Sequence, residues 1–252
     1  MTALMMLFLC LLMLATSFLS GIFGMAGGMI LIGVLLVLLP VQTAMVLHAV
    51  TQIASNGWRA LLWHKHVRWA PVAAYVFGCV LALSAWSLFR YVPSTPVALV
   101  FLGVTPFLVK LFPSGWQPNP ESHAQGIAYG TVCMTLMLLT GVAGPLVDSF
   151  FLGGKLDRRE IVATKAMCQI ISHTLKLAYF GGIIEQAGTL DPVLAVLAIV
   201  ASMVGTTVAK RFLEMMSDSQ YRLWAGRIIA TIAGYYIIHG AAMLIISETA
   251  AR

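Results

Sequence analysis

Apolar runs follow one another along nearly the whole chain, at about 3–20, 29–39, 44–63, 70–89, 96–112, 124–140, 145–154, 161–181, 192–210 and 223–246. One crossing of a bilayer takes about 20 such residues. Composition excludes the soluble alternative. Of 252 residues, 60% are hydrophobic and 10% charged, where a soluble domain has about a quarter charged. One core cannot hide that much apolar surface from water, but lipid removes the need. The expected fold class is an all-α polytopic membrane protein.

Residues 1–20 hold no Lys or Arg, so a cleaved signal peptide with a basic leader is not expected. The formal charge of +6 is scattered over the ends of apolar runs, a pattern of membrane topology and not of nucleic-acid binding. Trp58, Trp63, Trp69 and Trp86 fall near run ends, as interfacial aromatics do. Cys10, Cys79, Cys133 and Cys168 lie far apart with no CxxC pair, and read as thiols within helices. There is no HExxH, GxSxG or Walker loop, and Gly24-Met-Ala-Gly-Gly28 follows no strand. Neither an enzyme, a resident metal nor a cofactor is expected.

The two halves read as copies. Glycine breaks, Gly21-Ile-Phe-Gly24-Met-Ala-Gly27-Gly28 and Gly141-Val-Ala-Gly144-Pro145, align at an offset of 120. Behind them, at an offset of 117, His48–Arg59 lies on Lys165–Lys176 with identical Ala, Gln, Ile and Ser positions. The expected division is a first repeat over 1–112, a polar linker over 113–123 and a second repeat over 124–252.

Charge orients them. Lys65 and Arg68 in loop 64–69, Lys155, Arg158 and Arg159 in 155–160, and Lys210, Arg211 and Arg222 in 210–222 mark the cytoplasmic side. Loop 182–191, with only Glu185 and Asp191, belongs outside. Segment 44–63 then ends inside while its mate 161–181 starts inside, so the repeats are inverted. Runs 29–39 and 145–154 are too short to span as helices. Each is read as the return arm of a Gly-broken hairpin, followed by three transmembrane helices. Both termini come out periplasmic.

His48, Gln52, Ser55, Asn56 and Arg59 share one helical face at i, i+4, i+7, i+8 and i+11, and Lys165, Gln169, Ser172, His173 and Lys176 repeat the pattern. Polar groups inside a bilayer are costly and normally face a bundle interior or wet cavity. Two such stripes meeting at the midplane would be net cationic, since Asp148 alone is a deep carboxylate, and would favour an anion. Helix ends at the broken tips, around Gly24, Gly27, Gly28, Gly141 and Gly144, would add free N–H groups. Bland readings stay open: Arg59, Lys165 and Lys176 as snorkelling cations, Gln52, Ser55, Gln169 and Ser172 as interhelical bonds, the glycines as close-packing residues. Asp148 is read either as a charge partner of Lys165 or Lys176, or as a proton-coupling group.

The Ser20-Gly-Ile-Phe-Gly-Met-Ala-Gly-Gly28 turn, the helix after it and the Gly141-Val-Ala-Gly144 echo resemble the sulfite exporter TauE/SafE family, also called the 4-toluene sulfonate uptake permease family. The second motif departs from the family pattern at Pro145 and Asp148. The resemblance implies a multi-pass carrier of the bacterial inner membrane for sulfite, organosulfonates or related sulfur or carboxylate anions, with export the implied direction. The expected mechanism is alternating access at a midplane cationic site, one half rocking against the other. The alternative is a passive anion channel or a membrane subunit of a larger complex. Expected partners are the anion and the lipid bilayer, with no nucleic acid; assembly into homo-oligomers is left open.

Overall fold

A computed structural model describes residues 2–23, 25–111, 118–152, 156–184, 190–215 and 218–250. Those residues form α1 (Ala3–Phe23), α2 (Met25–Leu38), α3 (Val41–Leu62), α4 (Trp69–Phe89), α5 (Thr95–Leu108), α6 (His123–Thr140), α7 (Gly144–Leu152), α8 (Arg158–Ala178), α9 (Pro192–Met215) and α10 (Asp218–Ala250), and no strand. The protein is an all-helical bundle, as expected. Helices α1, α4, α9 and α10 contain stretches long and apolar enough to cross a membrane. Polar residues at helical spacing keep α3 and α8, of 22 and 21 residues, off that group.

Local chemistry sets the boundaries. Pro40 precedes α3. The Ser122 side chain caps α6 by accepting from the Gln125 N–H. Gly141 ends that helix at φ +88°, a left-handed conformation that glycine adopts without a Cβ penalty. Asp157 accepts from the Arg159 and Glu160 N–H groups while Glu160 reaches back to the Asp157 N–H, a reciprocal cap for α8. Those N–H groups hold the exposed Asp157 carboxyl below its ordinary range. A depressed pKa stabilises the fold above the unfolded value, and the gain is lost as pH falls through the folded value. Asp157→Ala is therefore expected to melt at a lower temperature than wild type near neutrality. The two melting curves should merge in acid; a gap that persists there would contradict this account.

Two expected boundaries shift. The run 210–222 was expected as a basic loop, but α9 continues to Met215 and α10 begins at Asp218. Lys and Arg are good helix formers whose long arms reach an interface without unwinding the backbone. Gly21 lies in α1, and Gly27 and Gly28 in α2, rather than in an unwound turn. Glu185, Lys155 and part of the expected linker lie outside the described residues, and so does Gly24.

The packing crosses the halves. Helix α4 lies along α6, α1 along α9, α5 along α10, and α3 along α8. Exchanging the first five helices with the last five maps each of these pairs onto another of them or onto itself. Small residues make the first two seams tight. A Cβ on Gly130 would strike the Tyr75 carbonyl, and one on Gly78 the Ile127 carbonyl. Gly126 abuts Ala74, and Thr131 Oγ1 donates to the Gly78 carbonyl at 3.2 Å. Across α1 and α9, Gly205 meets the Leu14 carbonyl and Gly21 meets Ala209. Within the first hairpin, Gly27 sits against Thr16 and Ser20 of α1. These are small-residue contacts of membrane helices, where close backbone approach replaces the hydrophobic drive that lipid cancels.

Candidate functional site

Helices α3 and α8 pack along their polar stripes and run antiparallel, because His48 faces Lys176 at one end while Arg59 and Lys165 share a cleft at the other. The eleven steps from His48 to Arg59 span about 16 Å at 1.5 Å per residue.

At the His48 end Lys176 is 0% exposed. Its Nζ donates to the Gly141 carbonyl at 3.0 Å and meets His48 Nδ1 at 2.7 Å. An ammonium only donates, so His48 Nδ1 accepts, and the ring proton on Nε2 is donated to the Gly28 carbonyl at 3.1 Å. This network assigns the tautomer. His173 is buried too, its ring centroid 5.5 Å from that of His48 and its Nδ1 without a hydrogen bond. Gly141 caps the C-terminus of α6, whose terminal carbonyls lack helical partners and carry the negative end of the dipole. The broken tip thus meets Lys176 with a carbonyl end, where the sequence had pointed to N–H ends facing an anion. Among the described residues no carboxylate pairs with Lys176.

At the other end Met25, Gln52, Asn56, Arg59, Asp148, Lys165 and Gln169 line a cleft with room of about 20 Å³, one water's worth. Lys165 pairs with Asp148 at 2.5 Å, each side chain a little under a quarter exposed. The Asn56 amide donates back to the Gln52 carbonyl at 2.9 Å, and Arg59 donates to Ser55 Oγ at 3.2 Å. Beyond the cleft, exposed Arg68 bridges Glu160 at 3.0 Å and Glu121 at 3.2 Å.

Two stripe residues also bond helices outside this seam. Ser55 bonds Thr206 of α9 at 3.0 Å, and Ser172 bonds Tyr75 of α4 at 3.3 Å and its own Cys168 carbonyl. Both are fully buried and act as interhelical bonds, so they do not line the cleft. Gly27 is a packing glycine against α1, whereas Gly28 lies against the Gln52 amide. Gly144 meets Met25, so the tips of the two hairpins abut. Cys79, assigned on its own to an apolar helix, donates to the Gly130 carbonyl at 3.4 Å and lies 3.7 Å from Ser172 Oγ. Gly126-Ile-Ala-Tyr-Gly130 was a readable GxxxG signal for the α6 seam. No comparable signal marks Met25, Thr206 or the Gly141 carbonyl.

The family model described as sulfite exporter TauE/SafE matches residues 9–236. The chain belongs to the sulfite exporter TauE/SafE family. No curated protein and no solved structure matches it. Membership places the protein among multi-pass membrane transporters of sulfur anions such as sulfite. In this TauE/SafE chain the paired stripes supply three cations, Arg59, Lys165 and Lys176, against the one carboxylate of Asp148.

Proposed function

We propose that the protein is a secondary carrier that exports sulfite, an organosulfonate or a related small anion from the cytoplasm of a bacterium across the inner membrane. The observation that carries this reading is Lys176. A buried cation without a carboxylate is expensive in a low-dielectric interior. Two of its three donors are engaged by Gly141 and His48. The third, with His173 beside it, fits one oxygen of an anion. Gln52, Asn56, Arg59 and Gln169 offer the same chemistry at the cleft end. Ser55 and Ser172 are withdrawn from the binding set.

The crossed helix pairs and the antiparallel α3 and α8 support two inverted repeats, 1–112 and 124–252, joined through 113–123. The basic ends around Lys65, Arg68 and Arg159 support a cytoplasmic mouth at the cleft and periplasmic termini. A seam with room for one water at its cleft end favours alternating access over an open pore. Purified protein in proteoliposomes is expected to move sulfite with a rate that saturates as its concentration rises. Flux equal to that of empty liposomes would refute the transport assignment, and flux that never saturates would make the protein a channel.

A further inference from the structure

We propose that Asp148 is a tethered counter-anion that occupies the cleft end of the seam and that the transported anion must displace; this rests on the functional reading above. Its carboxylate reaches from the nine-residue α7 to Lys165 at 2.5 Å, in a cleft shared with Arg59, Gln52, Asn56 and Gln169. The remaining room is about 20 Å³, enough for one water but not for an oxyanion with several oxygens. A carboxylate presents two acceptor oxygens with delocalised charge, the features that sulfite or a sulfonate offers to the same donors.

The alignment of the halves sharpens the assignment. Lys165 corresponds to His48 at the offset of 117, and Asp148 to Gly28 at the offset of 120. His48 donates to the Gly28 carbonyl, and Lys165 pairs with Asp148. Equivalent positions thus meet in both halves, in one through a neutral ring and a backbone carbonyl and in the other through an ion pair of side chains. Both versions add no net charge. Arg59 and Lys176 are likewise equivalent positions of the two halves. Among the described residues, only the cleft end carries a side-chain anion that competes for its donors, so the two ends hold an anion with unequal strength.

Asp148→Asn tests this with two readouts. The Kd for sulfite should fall about tenfold, as expected when a competing charge-assisted contact is removed. In a Cys10→Ser background and without sulfite, Met25→Cys should react faster with an anionic methanethiosulfonate, and slower with a cationic one, once Asp148 is neutral. Asp148→Ser replaces the Asn variant should that one fail to insert, and Asp148→Glu should restore wild-type values. An unchanged or higher Kd, or an unchanged preference between the two reagents, overturns the proposal. If the wild type binds no sulfite or sulfonate, the functional reading fails, and the labelling preference still decides the role of Asp148.

Discussion

Lys176→Met is expected to abolish sulfite flux while leaving the empty protein at least as heat-stable as wild type. The two outcomes pull apart because the lysine is fully buried and unmatched by any described carboxylate. An apolar side chain of similar length removes the cost of desolvating that charge, which offsets the two hydrogen bonds lost at Gly141 and His48. The same change removes one partner of any buried contact with an anion, and that loss costs about a hundredfold or more in affinity. Flux into proteoliposomes and a melting curve on the same preparation read both effects. A variant that melts well below wild type would mean that Lys176 holds the fold through Gly141 and His48. Full flux with normal stability would remove it from the binding set.

Gly130→Val is expected to be the most damaging single change to the fold. Its Cβ would lie on the Tyr75 carbonyl, a backbone atom of a helix that cannot rotate aside. The facing Gly78 is held as tightly against Ile127, so α4 cannot slide to make room. Overpacking of this kind costs about 3 kcal/mol or more, roughly a 10 °C loss of melting temperature for a chain of this size. Gly226→Val, on α10 where an added Cβ meets nothing within 4 Å, is the control and should melt close to wild type. Equal behaviour of the two variants would show that the α4–α6 seam is looser than these contacts require.

Much of the architecture was readable because its signals are local. The apolar runs anticipated the helices, and the spacing from His48 to Arg59 and from Lys165 to Lys176 identified α3 and α8 as polar on one side. What a residue on that side touches depends on a partner helix, and spacing cannot supply it. Ser55 and Gln52 belong to one stripe, yet Ser55 is taken by Thr206 of α9 while Gln52 reaches the cleft. Glycine is ambiguous for a related reason, since it permits an unwound backbone and close helix packing alike. Gly141 takes the first role, with φ +88°, and Gly27 the second. The distinction lies in α1, which brings Thr16 and Ser20 against Gly27. Lys176 was read as a cation within reach of a membrane face; burial against the end of α6 comes from tertiary contact alone.

The crossed seams decide what can move. Separating residues 1–112 from 124–252 as solid blocks would tear α4 from α6 and α1 from α9, the contacts in which backbone meets backbone. Under the alternating access proposed above, the gears would be composites of both halves, α1, α2, α3 and α9 turning as one wheel and α4, α6, α7 and α8 as the other, meshed along the polar teeth of α3 and α8. The described parts of the passages from wheel to wheel, Trp63–Arg68 after α3 and the widened π-turn Tyr179–Ile183 after α8, would then serve as axles.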